Sequence, residues 1–149
     1  MELVEMGVIR TAPGEGIAAR LGRIHGSLIE VVRELKPDVI VLEKLYSHYK
    51  HPATAILMGH ARGVVCLVSG SERVPLASLP STHVKKSVTG HGHASKEQIQ
   101  RMVQNLLNLK SVPEPCDAAD ALAIAITYAR TLKRGAKPSR DAAKQGMRS

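Results

Sequence analysis

The sequence predicts an α/β domain with a parallel or mixed sheet. Three observations carry that expectation. Short β-branched runs alternate with segments of helical periodicity. One run, Asp38-Val39-Ile40-Val41-Leu42-Glu43, is apolar from end to end, the pattern of a strand covered on both faces. Finally, 149 residues, 44% of them hydrophobic, are enough for one sizeable core. With only 2% aromatics and no Trp or Phe, that core is aliphatic.

Leu3 to Thr11 reads as a short strand ending at the turn Ala12-Pro13-Gly14. From Ile17, the apolar residues Leu21, Ile24, Leu28, Val31, Val32 and Leu35 recur at three- and four-residue spacing. They predict one face of a helix that Pro37 stops. The strand closing at Glu43 follows. Residues Ala53 to Val68 predict a second helix, with Gly59 and Gly63 as places of close packing. Val74 to Leu79 is a further strand. Ser81 to Ala94 carries two lysines, three histidines, Gly90 and Gly92, and reads as a loop. Ser95 with Gln98 makes a capping box, so a helix starts there and runs to about Leu109. Ser111 to Pro115 breaks it, and Asp117 to Leu132 is a last helix with a small-residue face. The expected organisation is a domain over residues 1–132 and a basic flexible tail over 133–149.

The net charge of +8 is unevenly spread. Residues 130–149 alone carry +6. Such an end is often merely solvated, but it also suits phosphate backbones. Cys66 and Cys116 have no partner at metal or disulfide-framework spacing, which fits a reducing, cytoplasmic setting. No uninterrupted apolar run reaches 18 residues and the N-terminus lacks a signal pattern, so neither a membrane span nor a secretory leader is expected.

Chemistry concentrates in carboxylates. Asp117 and Asp120, three apart on a helix, share one side, and their sequence neighbours are small or apolar. Without a basic partner within a turn, the pair calls for a cation. A cap on the helix start is the plainer reading; it explains Asp117 better than Asp120. Glu43 ends a strand, where α/β sheets place ligands, although an ordinary polar strand end looks the same. Together the three offer hard oxygen donors that select Mg²⁺, with Mn²⁺ as the other candidate. His91 and His93 flank Gly92, and His48 and His51 follow Glu43, without the rigid third ligand that zinc requires. Lys85 and Lys86 offer a phosphate grip or a solvated surface. Tyr46 and Tyr49 offer a base-stacking aromatic or a packing residue.

Four stretches then carry a resemblance. Lys36-Pro37-Asp38 through Glu43, His60-Ala61-Arg62-Gly63, Val84-Lys85-Lys86-Ser87-Val88-Thr89-Gly90, and Asp117-Ala118-Ala119-Asp120-Ala121-Leu122-Ala123-Ile124-Ala125 resemble, in order, the RuvC family of crossover junction endodeoxyribonucleases. The resemblance implies a ribonuclease-H-like mixed sheet flanked by helices. It implies a homodimer that resolves four-way (Holliday) junction DNA by metal-dependent hydrolysis, in recombination and repair, together with the RuvA–RuvB branch-migration motor. It assigns Glu43, Asp117 and Asp120 to catalysis and to two Mg²⁺ ions in a complete site. It assigns Tyr46, Lys85, Lys86 and Lys96 to DNA contact.

The family also opens with a strand carrying I-G-I-D-P-G, whose aspartate is the first metal ligand. No such motif occurs in this sequence. The expectation is therefore an N-terminally truncated sheet, with Leu3 to Arg10 inside what would be its third strand. A misassigned start, a fragment or a degenerate paralogue would each produce it, and the intact later motifs favour the first two. The competing functional expectation is a protein that binds junctions without cutting them.

Overall fold

The computed structural model describes residues 1–45, 52–133 and 135. Its order is α1 (Ile17–Leu35), β1 (Ile40–Glu43), α2 (Pro52–Ser71), β2 (Leu76–Leu79), α3 (Ser81–Thr89), α4 (Lys96–Leu107) and α5 (Cys116–Lys133). The last helix ends at Lys133, so nearly all of the expected tail lies outside the described residues. Contacts divide the chain into two units. One holds residues 1–8, 41–44 and those from Ala77 on; the other holds Ile9–Ile40 and Leu45–Leu76.

The two strands pair in parallel. The Ile40 N–H donates to the Pro75 carbonyl at 2.8 Å, and the Lys44 N–H donates to the Leu79 carbonyl at 2.9 Å. Four residues of advance on one strand match four on the other, the signature of a parallel register. The apolar residues of β1 are half-buried rather than fully covered, and Glu43 is exposed.

In the second unit α1 packs on α2. Only Val32 of α1 is fully buried, so its apolar stripe is partly open. Arg33 grips Glu72 with Nε 3.2 Å from Oε2 and a terminal nitrogen 2.9 Å from Oε1. That guanidinium holds the Glu72 carboxyl below the usual carboxylate range. Helix α2 leaves Ile56 and Leu67 each 60% exposed, with Leu57 and Met58 also open. By length and composition alone α2 could cross a membrane. His60 and Arg62 near its middle count against that, because an arginine at a bilayer centre costs about 2.5–3.5 kcal/mol. Among the described residues, a Cβ placed on Gly59 or Gly63 would meet nothing within 4 Å, so the close packing expected there is not seen between them.

The first unit is built on α3, α4 and α5, which pack on one another. Its core comprises Val84, Val88, Ala94, Ile99, Val103, Leu122, Ala123 and Ile126. Alanines 118, 119 and 123 on α5 are buried, and their small side chains let neighbouring helices approach closely. Helix α4 starts as its sequence requires: Ser95 Oγ accepts from the Gln98 N–H, and Gln98 Oε1 accepts from the Ser95 N–H at 2.8 Å. Arg130 on α5 donates to the Ser87 carbonyl on α3 at 2.7 Å.

Two element assignments also need correction. Leu3 to Thr11 forms no strand. Its apolar residues suit one, but a strand exists only by pairing, and neither β1 nor β2 pairs with it. Leu3 instead packs against the core, while Val4 is 82% exposed. The second correction is α3, which occupies most of the expected loop over 81–94. Val84 and Val88 lie one helical turn apart and both enter the core. That burial outweighs the modest helix propensity of valine. Gly90, at φ 83°, closes the helix in the left-handed region that glycine adopts without strain.

Candidate functional site

The first unit contains a cavity of about 210 Å³ lined by Glu43, Ser81, Val84, Lys85, Lys96, Ile99, Asp120 and Ile124. Each polar member is placed by a local rule. Glu43 is the last residue of β1, at the carboxyl end of a parallel strand. Lys85 follows buried Val84 on α3, so its stem starts at the core and it is itself half-buried. Lys96 is the first residue of α4, set by the Ser95 cap. Asp120 lies on the second turn of α5, between buried Ala119 and the buried pair Leu122 and Ala123. Ile124, one turn further along α5, completes the same wall.

Four of the residues singled out from sequence thus share one cavity: Glu43, Lys85, Lys96 and Asp120. Asp117 and Lys86 are exposed and are not among the residues lining it. Tyr46, with His48, Tyr49 and His51, lies outside the described residues. His91 and His93 are exposed on the turn between α3 and α4, where the His91 N–H donates to Thr89 Oγ1. Ser81 is a cavity residue that sequence reasoning misses, because the pattern of residues 81–94 is that of a loop. The expectation that the carboxylates lack basic neighbours also changes. Within α5 none is near, but the fold sets Lys85 and Lys96 among the residues lining the same cavity as Asp120.

The donor set fits one hard, hydrated cation. Mg²⁺ is commonly held by one or two carboxylates together with substrate phosphate oxygens. Glu43 and Asp120 supply two carboxylates, and the adjoining lysines favour an anionic substrate. The set does not form a closed cage: among the described residues, no three or more His, Cys, Asp or Glu side chains group closely enough to hold a metal.

Fold and cavity together define an α/β domain of the ribonuclease-H-like kind that sets acids against bases at the end of a parallel strand. The family model described as crossover junction endodeoxyribonuclease RuvC matches residues 1–128, and the chain belongs to that family. It is 51% identical over 124 residues to the crossover junction endodeoxyribonuclease RuvC of Rhodopirellula baltica, covering 83% of this chain and 70% of that protein. The Thermus thermophilus RuvC structure matches with a TM-score of 0.82 at 36% identity, over 92% of this chain and 82% of that one. T. thermophilus RuvC in complex with Holliday junction substrate matches with a TM-score of 0.85, again at 36% identity, over 92% and 83%.

Proposed function

We propose that this chain resolves four-way DNA junctions by metal-dependent hydrolysis of phosphodiester bonds, in recombination and repair. The observation that carries the reading is the cavity shared by Glu43, Asp120, Lys85 and Lys96 in a chain of the RuvC family. Glu43 and Asp120 would hold the divalent ion; Asp117, one turn before Asp120 but exposed and outside the cavity lining, would have to turn inward to add a third carboxylate. Mg²⁺ is the preferred ion and Mn²⁺ the substitute; a complete site of the family would hold two, while the two carboxylates lining this cavity fit one. The bound metal supplies activation of water and stabilisation of the leaving oxygen. The lysine ammonium groups bind the non-bridging oxygens of the phosphodiester and offset the negative charge that grows there. Carboxylate oxygens of Glu43 and Asp120 orient the attacking water by accepting its hydrogen bonds. Lys86 contacts backbone outside the cavity, and Tyr46 stacks on a base opened at the junction.

Several partners follow. The enzyme acts as a homodimer, which the exposed apolar residues of α2 support, since patches of that kind mark association surfaces. It works in the cytoplasm with the RuvA–RuvB motor, as family membership suggests.

The test is cleavage of a synthetic four-way junction with Mg²⁺ by wild type, Glu43→Gln and Asp120→Asn. Wild type should cut. Each variant should lose cleavage while still shifting the junction in a gel. A wild type that leaves the junction intact would refute the nuclease reading. Binding without cutting is the second reading, favoured by the lack of a three-ligand group among the described residues; a wild type that binds but never cuts would establish it.

A further inference from the structure

Ser81 lines the cavity but has no part in the chemistry above. It is the first residue of α3, after Pro80 at the cap position. Pro80 has no side-chain oxygen, and no side chain caps α3. Ser81 therefore differs from Ser95, whose hydroxyl is engaged at the start of α4. Among the described residues the Ser81 side chain makes no hydrogen bond. It is half-buried, and it lies on the same wall system as Lys85, one turn along α3, and Lys96.

A half-buried hydroxyl on a residue lining a mixed-charge cavity can take a partner supplied from outside. The lysines attract a phosphodiester but orient it poorly, because each is a point charge on a long flexible stem. Serine is different. Its hydroxyl turns on one short bond, and its backbone belongs to a helix whose Val84 and Val88 are buried in the core. It can distinguish one non-bridging oxygen of a phosphodiester from the other.

We propose that Ser81 is a phosphate-orienting residue: its Oγ–H donates to one non-bridging oxygen of the phosphodiester in the cavity, fixing which face of phosphorus meets Glu43 and Asp120. This rests on the nuclease reading.

The test uses junctions carrying a single phosphorothioate of defined stereochemistry at the cleaved position, alongside the all-oxygen junction. Cleavage is run with Mn²⁺, which tolerates sulfur as Mg²⁺ does not, so that the metal adds little preference of its own; sulfur accepts a hydrogen bond from serine poorly, so one diastereomer should be cut more slowly than the other by wild type. Ser81→Ala should cut the all-oxygen junction about tenfold more slowly, the scale of one hydrogen bond to a charged group. It should still bind the junction, because Lys85, Lys86 and Lys96 remain, and lose the discrimination between diastereomers. Ser81→Thr, which keeps the hydroxyl, should restore both rate and discrimination. A merely structural role would lower the rate and leave the diastereomer ratio unchanged, and that result overturns the proposal. An Ala variant as fast as wild type overturns it too. If wild type cuts and the ratio survives in the variant, only the Ser81 assignment fails. If wild type cuts nothing, both readings fall.

Discussion

Replacing Arg130 by Met should loosen α3 without opening a hole. The Arg130 guanidinium donates to the Ser87 carbonyl at 2.7 Å, across 43 residues of sequence. Ser87 lies in the last turn of α3, where carbonyls run out of intrahelical donors. A cation there also opposes the negative end of the helix dipole. A hydrogen bond to a charged group is worth about 1.5–3 kcal/mol. Arg130 is half-buried, so solvent offsets part of this and about 1–2 kcal/mol remains. Met keeps most of the stem packing and removes only the donors. Denaturant unfolding followed by circular dichroism should show that loss at unchanged slope. Lys at the same position should recover little of it, since a lysine ammonium lacks the reach and fork of guanidinium. An unfolding curve for Arg130→Met within about 0.3 kcal/mol of wild type would mean that the contact holds nothing.

Other outcomes follow from the same structure. Val103, 0% exposed in the centre of the first unit, should cost about 2–3 kcal/mol when cut to Ala, read by thermal melting. Glu72 carries a lowered pKa because Arg33 bonds its carboxylate. Its stabilising effect is therefore present above the ordinary value of 4.5 and is lost as pH falls through the lowered value. Glu72→Gln should be less stable than wild type at neutral pH, with the gap narrowing in acid; a gap constant from pH 7 to 3 would refute the pairing. Lys85→Ala and Lys86→Ala should each reduce the salt dependence of junction binding by about one unit of log–log slope. Only Lys85→Ala should also slow cleavage, since only Lys85 lines the cavity.

Much of this fold is written locally. The spacing of Leu21, Ile24, Leu28 and Val32 gives α1, and Ser95 with Gln98 gives the start of α4 almost to the residue. Helix α3 was hidden because nine residues offer only two core positions, Val84 and Val88, among lysines and a closing glycine. The segment from Leu3 failed in the opposite sense. Its pattern is that of a strand, but half of what makes a strand belongs to its neighbour. The candidate site divides in the same way. Glu43 at a strand end and Asp120 on an apolar helix are visible one at a time. That two lysines from two other helices reach the same cavity is a property of packing, which no window of sequence contains.

Helix α3 is too short to persist alone in water, since isolated helices below roughly 12–15 residues are marginal. Its nine residues stay wound because Val84 and Val88 are seated in the core. Local melting of α3 must therefore expose that core. The backbone amides near Lys85 should exchange with solvent deuterium through the same large opening as the amides around Val103, not by private fraying. The basic side of the cavity then belongs to the slowest-opening part of the unit. Junction DNA would meet a surface already in place, with no ordering step left for this helix to complete on contact.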